Sequence, residues 1–199
     1  MTPRQDMRAG IGPAFGLNAA PSLSVRPTGQ ARLCASLIET AAPGPLGQEV
    51  HLAARDAYFL MLYLAPTRHA DIRPDGSRGP ERLFPRRSAC LVDLREGAAI
   101  CLRQPLRGIA ILCPKVLLAG VAELSDTGGA LLRCLRGRID PVLAALAQAL
   151  LPGFGPCRPG ETALRPIAFA LCAHLVHSYG RPPPGVVRPF PGSGGGPRQ

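Results

Sequence analysis

Histidine and cysteine have the widest chemical latitude in this sequence, which holds four of the first and seven of the second in 199 residues. His174 and His177 stand one helical turn apart with Cys172 close by, a spacing that can place ligands on one helix face. The reading preferred here is one buried histidine and one at a helix end, where an imidazolium meets the dipole favourably. His51 and His69 are 18 positions apart, and no H-x-H followed by a glutamate is present to make a metal cluster in the strand region. The cysteines (34, 90, 101, 113, 134, 157 and 172) include no C-x-x-C pair and are odd in number, which does not suit a disulfide framework. Cys90, Cys101, Cys113 and Cys172 lie inside apolar runs, where a reduced cysteine acts as a small hydrophobe. There is no G-x-S-x-G, no phosphate-binding G-x-x-x-x-G-K-[ST], and no G-x-G-x-x-G between a strand and a helix. Asp71, Asp75 and Glu81 flank a turn, a place where carboxylates serve solubility and local hydrogen bonds. No catalytic residue, metal ligand or cofactor is therefore nominated, and the chain is not expected to be an enzyme. What remains is aromatic. Tyr58, Phe59 and Tyr63 are either core or, with the strands at 88–113, the lining of a ligand pocket inside a barrel, and that pocket would favour an apolar or aromatic effector.

These residues have to be held by elements that the hydropathy pattern delineates. "DAYFLMLYL" (56–64) is a nine-residue apolar run bounded by Asp56 and Pro66, the length and boundary of a buried strand. "ARLCASLIE" (31–39) is open to a first strand or a helical turn. Pro74-Asp75-Gly76 predicts a turn, because proline presets φ and glycine accepts φ > 0. "SACLVDL" (88–94), "AAICLR" (98–103) and "LRGIAILCP" (106–114) follow at intervals of about ten residues, the cadence of an antiparallel sandwich or small barrel. From Pro114 the period becomes helical. Leu117, Val121 and Leu124 form one stripe; in "IDPVLAALAQALLPG" (139–153), Asp140 is the cap, Pro141 the first helical residue, and Leu143, Leu146 and Leu150 part of an apolar face. A third helix is expected from near Pro166 to Tyr179, ending where Gly180 takes the left-handed C′ position. The fold class is thus α+β, one domain over 31–180: a small antiparallel β-barrel or sandwich followed by two or three packed helices.

Composition bounds the rest. A hydrophobic fraction of 46% can supply a core, while 23 glycines and 23 prolines thicken towards the ends. Residues 1–30 read as a flexible leader and 181–199 as a Pro/Gly-rich, linker-like tail. No stretch is long and apolar enough for a membrane span or a signal core, so a cytoplasmic location is expected. The net charge of +10 invites a nucleic-acid reading, but it is spread as +1 over residues 1–50, +6 over 51–180 and +3 over the tail. A phosphate-binding surface needs focus that this distribution lacks.

At "YFLMLYL", "PDGSRGP", "SACLVDL", Pro114–Leu118, "DPVLAALAQALLP" and "FALCAHLVHSYG", the order and wording resemble the N-terminal half of AraC-family transcriptional regulators, over roughly residues 50 to 184. The resemblance implies a cupin-like, effector-binding and dimerisation domain. It also implies a Pro-rich linker that leads, in family members, to two helix-turn-helix units. The sequence holds no counterpart of those units, so no DNA-binding residue is carried over, and DNA is expected to be reached only through a domain outside these residues. The implied partners are a small-molecule effector and a second copy or full-length relative, paired through the helix bearing Leu143, Leu146 and Leu150. The other expectations kept in view are a free-standing cupin-like binding protein or enzyme, and a gene remnant without function.

Overall fold

The computed structural model describes residues 11–29, 31–125 and 131–181. Among the described residues ten strands form two antiparallel sheets. The first holds β1 (Ser22–Val25), β2 (Leu33–Glu39), β4 (Ala57–Tyr63), β7 (Ser88–Asp93), β9 (Arg107–Pro114) and β10 (Leu135–Ile139), in the order β1-β2-β9-β4-β7-β10. The second holds β3 (Gln48–Leu52), β5 (Thr67–Ile72), β6 (Arg82–Phe84) and β8 (Ala98–Leu102), in the order β3-β8-β5-β6. Within β2 to β9 the chain passes back and forth between the sheets, and the last strands of the set lie beside the first. That interleaving is the double Greek key of a jelly roll, the architecture shared by cupins. Three helices complete the α+β fold: α1 (Lys115–Leu124), α2 (Pro141–Leu150) and α3 (Glu161–Tyr179).

The first sheet is the middle of three layers. Along β4, Tyr58, Leu60 and Leu62 join the core under the helices, while Phe59, Met61 and Tyr63 join the core between the sheets. Its neighbours divide in the same way, with Ile109 and Ile111 of β9 on the helical side and Ala110 between the sheets. A strand covered on both faces has no need of polar alternation, which is why the whole of β4 is apolar and buried.

The strands predicted at 56–64, 88–94, 98–103 and 106–114 are β4, β7, β8 and β9, and 31–39 resolves to strand β2. The turn at Pro74-Asp75-Gly76 forms, with Gly76 at φ 80° and its amide donating to the Arg73 carbonyl at 2.9 Å. Asp140 caps α2 as expected, and its carboxylate accepts from the amides of Val142 and Leu143.

Other expectations need correction. Residues 11–29 belong to the fold rather than to a leader: a 3-10 turn at Gly12–Phe15 places Ile11 and Phe15 between the sheets, and β1 pairs with β2. One turn and one four-residue strand are too short to show a period, so the hydropathy pattern missed them. α3 begins at Glu161, ahead of Pro166, which sits inside it. At the sixth helical position proline forfeits only the bond to the Thr162 carbonyl, near the end where few such bonds exist. Gly180 is not left-handed; its φ of −59° and ψ of 139° carry the chain into a bridge with Leu132. The remainder of the expected leader, residues 1–10 and 30, and the tail from 182 lie outside the described residues.

Candidate functional site

Between the two sheets lies a cavity of about 640 Å³. Its walls are mainly apolar: Val50 and Ile100 from the second sheet, Phe59, Met61 and Val92 from the first, and Phe15 from the N-terminal turn. The Gln48 side chain donates to the Phe15 carbonyl at 2.9 Å and pins that turn against β3. Volume and lining are those of a small-molecule pocket.

One part of the wall is polar. Tyr63 Oη and His69 Nε2 are 2.8 Å apart, and the His69 ring lies flat on Phe84, with centroids 3.8 Å apart and planes 7° apart. Burial holds His69 down at about 4 and pushes the Tyr63 hydroxyl well above the ordinary tyrosine value, so both are uncharged near neutrality. His69 Nδ1 is buried and has no hydrogen-bond partner among the described residues. Beside this pair, Arg136 places Nε 3.4 Å from an Asp71 carboxylate oxygen and Nη1 3.4 Å from the Cys90 sulfur. Burial raises the Cys90 thiol, which stays protonated.

The backbone aims these groups. β5 has a two-residue period, so His69 and Asp71 share a face. Arg136 comes from an irregularity in β10, where the register with β7 shifts between Leu135 and Arg138 and Gly137 takes φ 68°. The extra residue of such a bulge re-aims a side chain. Leu135 packs under the helices while Arg136, next in sequence, reaches the cavity.

Of the three aromatics expected at the pocket, Phe59 and Tyr63 line it and Tyr58 does not. Adjacent strand residues face opposite ways, so Tyr58 and Phe59 cannot share a wall. Tyr58 instead points to the helices, where its hydroxyl accepts from the Leu132 amide at 2.9 Å and the Lys115 ammonium lies 5.3 Å from its ring centre. Of the three leucines expected to make contact with another chain, two do not reach the surface. Leu143 and Leu150 are fully buried in this chain's own core, and Leu146 is half-buried against it, because the stripe of α2 covers the first sheet and α3.

His174 and His177 do not converge. His177 is exposed, whereas His174 Nε2 lies 2.7 Å from an Asp140 carboxylate oxygen that also accepts from the Tyr179 hydroxyl. Among the described residues no three His, Cys, Asp or Glu side chains gather as a metal site would require. His51 stands on the cavity rim against Glu49, 3.3 Å away.

Sequence reasoning missed Phe15, Met61, Asp71 and Arg136 as wall residues, while Cys90, Val92 and Ile100 lie on the strands at 88–113 expected there. For Arg136 a signal existed: a glycine within the short run "CLRGRI" is what a bulged strand looks like.

No family model matches the sequence, and no curated protein matches it. Among solved structures, similar chains include an RmlC-like cupin protein from Desulfovibrio desulfuricans (8% identity, 47% of this chain, 80% of that one, TM-score 0.31). Two others are the cupin domain of an XRE-family transcriptional regulator from Enterobacter cloacae (9%, 46% and 93%, 0.31) and a conserved cupin barrel protein from Salinispora arenicola (11%, 52% and 82%, 0.32). At these scores the likeness carries no weight beyond the strand order, on which the fold assignment rests.

Proposed function

We propose that this chain is a small-molecule sensor, the effector-binding half of an AraC-type transcriptional regulator, and that it binds without catalysing. The observation that carries the reading is the cavity of about 640 Å³, apolar on most of its wall and polar at one part. The order of jelly roll first and helices after, with the sequence features that resemble AraC-type sensors, supports the regulatory side of the proposal. Ligand occupancy in this scheme is passed to a second copy or to a relative that carries helix-turn-helix units, and those units make the DNA contacts.

Titration with the neutral fluorophore N-phenyl-1-naphthylamine tests the binding step. Saturable fluorescence enhancement is expected, and Met61→Trp, which fills the cavity centre from β4, is expected to weaken it at least about tenfold, since overlap forfeits the apolar contact the probe needs. Val92→Phe provides a second block from β7 if the first variant folds poorly. Unaltered binding in both well-folded variants would remove the cavity from consideration.

A further inference from the structure

Resting on the sensor reading, we infer that the cavity selects an uncharged ligand, an apolar or aromatic body carrying a carbonyl-type oxygen, and that this oxygen is received at Arg136 and the Tyr63–His69 pair. Two features of the wall lead there. The first is charge balance. The charged side chains on the cavity are Arg73, Arg136, Asp71 and Glu96, two of each sign, and Asp71 already stands 3.4 Å from Arg136. A ligand carboxylate at Arg136 would be a second anion beside Asp71 and would meet like-charge repulsion; a ligand ammonium would be repelled by the guanidinium.

The second feature is a count of protons. A neutral histidine and a tyrosine hold two donor protons between them, and their one mutual hydrogen bond at 2.8 Å uses only one. If Tyr63 donates to Nε2, the spare proton is on Nδ1, the buried nitrogen without a partner. If Nε2 donates instead, the spare proton is the tyrosine hydroxyl's own. In both tautomers this part of the wall keeps one donor proton unused. Arg136 adds a further donor: Nε and Nη1 have their contacts, while Nη2 makes no hydrogen bond among the described residues. A wall rich in donors and balanced in charge asks for a neutral acceptor. Because His69 is only 2% exposed, an oxygen reaches it by a small shift of the ring along Phe84, whereas half-exposed Arg136 is met directly.

Displacement of N-phenyl-1-naphthylamine by three probes of nearly one shape tests the inference: 2-acetylnaphthalene, 2-ethylnaphthalene and 2-naphthoate. The ketone is expected to displace about tenfold better than the hydrocarbon and the carboxylate, the value of one to two well-made hydrogen bonds. Arg136→Met and His69→Phe, the second keeping the stack on Phe84, are each expected to bring the ratio of ketone to hydrocarbon displacement close to one. Equal displacement by ketone and hydrocarbon, or strongest displacement by naphthoate, overturns the inference and leaves the sensor proposal standing. Failure of the fluorophore and all three probes to bind overturns both.

Discussion

His69 is the residue at which chemistry and stability are most closely joined. Its ring is buried against Phe84 and Tyr63, and burial depresses its pKa to about 4 from the ordinary 6.5. The folded state therefore refuses a proton that the unfolded chain accepts below about pH 6.5, so its contribution is intact above that value and is lost as pH falls through 4. The interval corresponds to about 3 kcal/mol. Urea melts across pH 7 to 4 are expected to show this loss in the native chain and to show most of it abolished in His69→Phe. An equal slope in both proteins would place the acid sensitivity elsewhere. Nothing in the local sequence "TRHAD" marks His69 as buried; the roll of the sheet brings Phe84 over its ring. Phe59 and Tyr63 were legible as pocket residues, and Tyr58 was misassigned because an unbroken apolar strand does not reveal which parity faces which core.

Between elements, Asp140 is the tie. Its carboxylate caps α2 and also receives His174 and Tyr179 from the last turns of α3, so one side chain orients two helices on the sheet. Burial opposes its ionisation, but the hydrogen bonds from His174, Tyr179 and the Leu143 amide outweigh that and hold it down at about 2. Burial and the same carboxylate push Tyr179 up to about 12. Since the carboxyl's folded value lies below its ordinary 3.8, this contribution is present above that value and lost as pH falls through 2, a lower window than that of His69. Its size is on the order of 1–2 kcal/mol after allowance for nearby solvent. Asp140→Ala removes cap and tie together and is expected to cost about 2–4 kcal/mol in chemical denaturation; Asp140→Asn retains a capping oxygen and should cost less. The cap could be read from "IDPVL", because capping is local. The tie could not, since His174 and Tyr179 lie 34 and 39 residues away.

For the molecule as a whole, the inward turn of the α2 stripe changes what a pairing experiment should show. Leu150→Ala opens a hole in the chain's own core and is expected to lower stability by about 2–5 kcal/mol. Sedimentation velocity on the native chain is expected to find a dimer, as the sensor proposal requires. Leu150→Ala should leave its association constant unchanged under conditions where it remains folded. A strictly monomeric native chain at high micromolar concentration would count against the pairing step. By itself the sequence determined local matters: the strands at 56–64, 88–94, 98–103 and 106–114, the helices after Pro114 and Asp140, the turn at Gly76, the cap at Asp140 and the succession of strands before helices. Those depend on neighbours within one turn or one strand, whose preferences are written in adjacent residues. Only the tertiary structure decided the interleaved strand order, the face to which each parity of β4 turns, the place of Phe15 in the core and the arrival of Arg136 beside His69 and Asp71. Those depend on burial against residues far away in the chain, and such contacts exist only once both sheets have closed around the cavity.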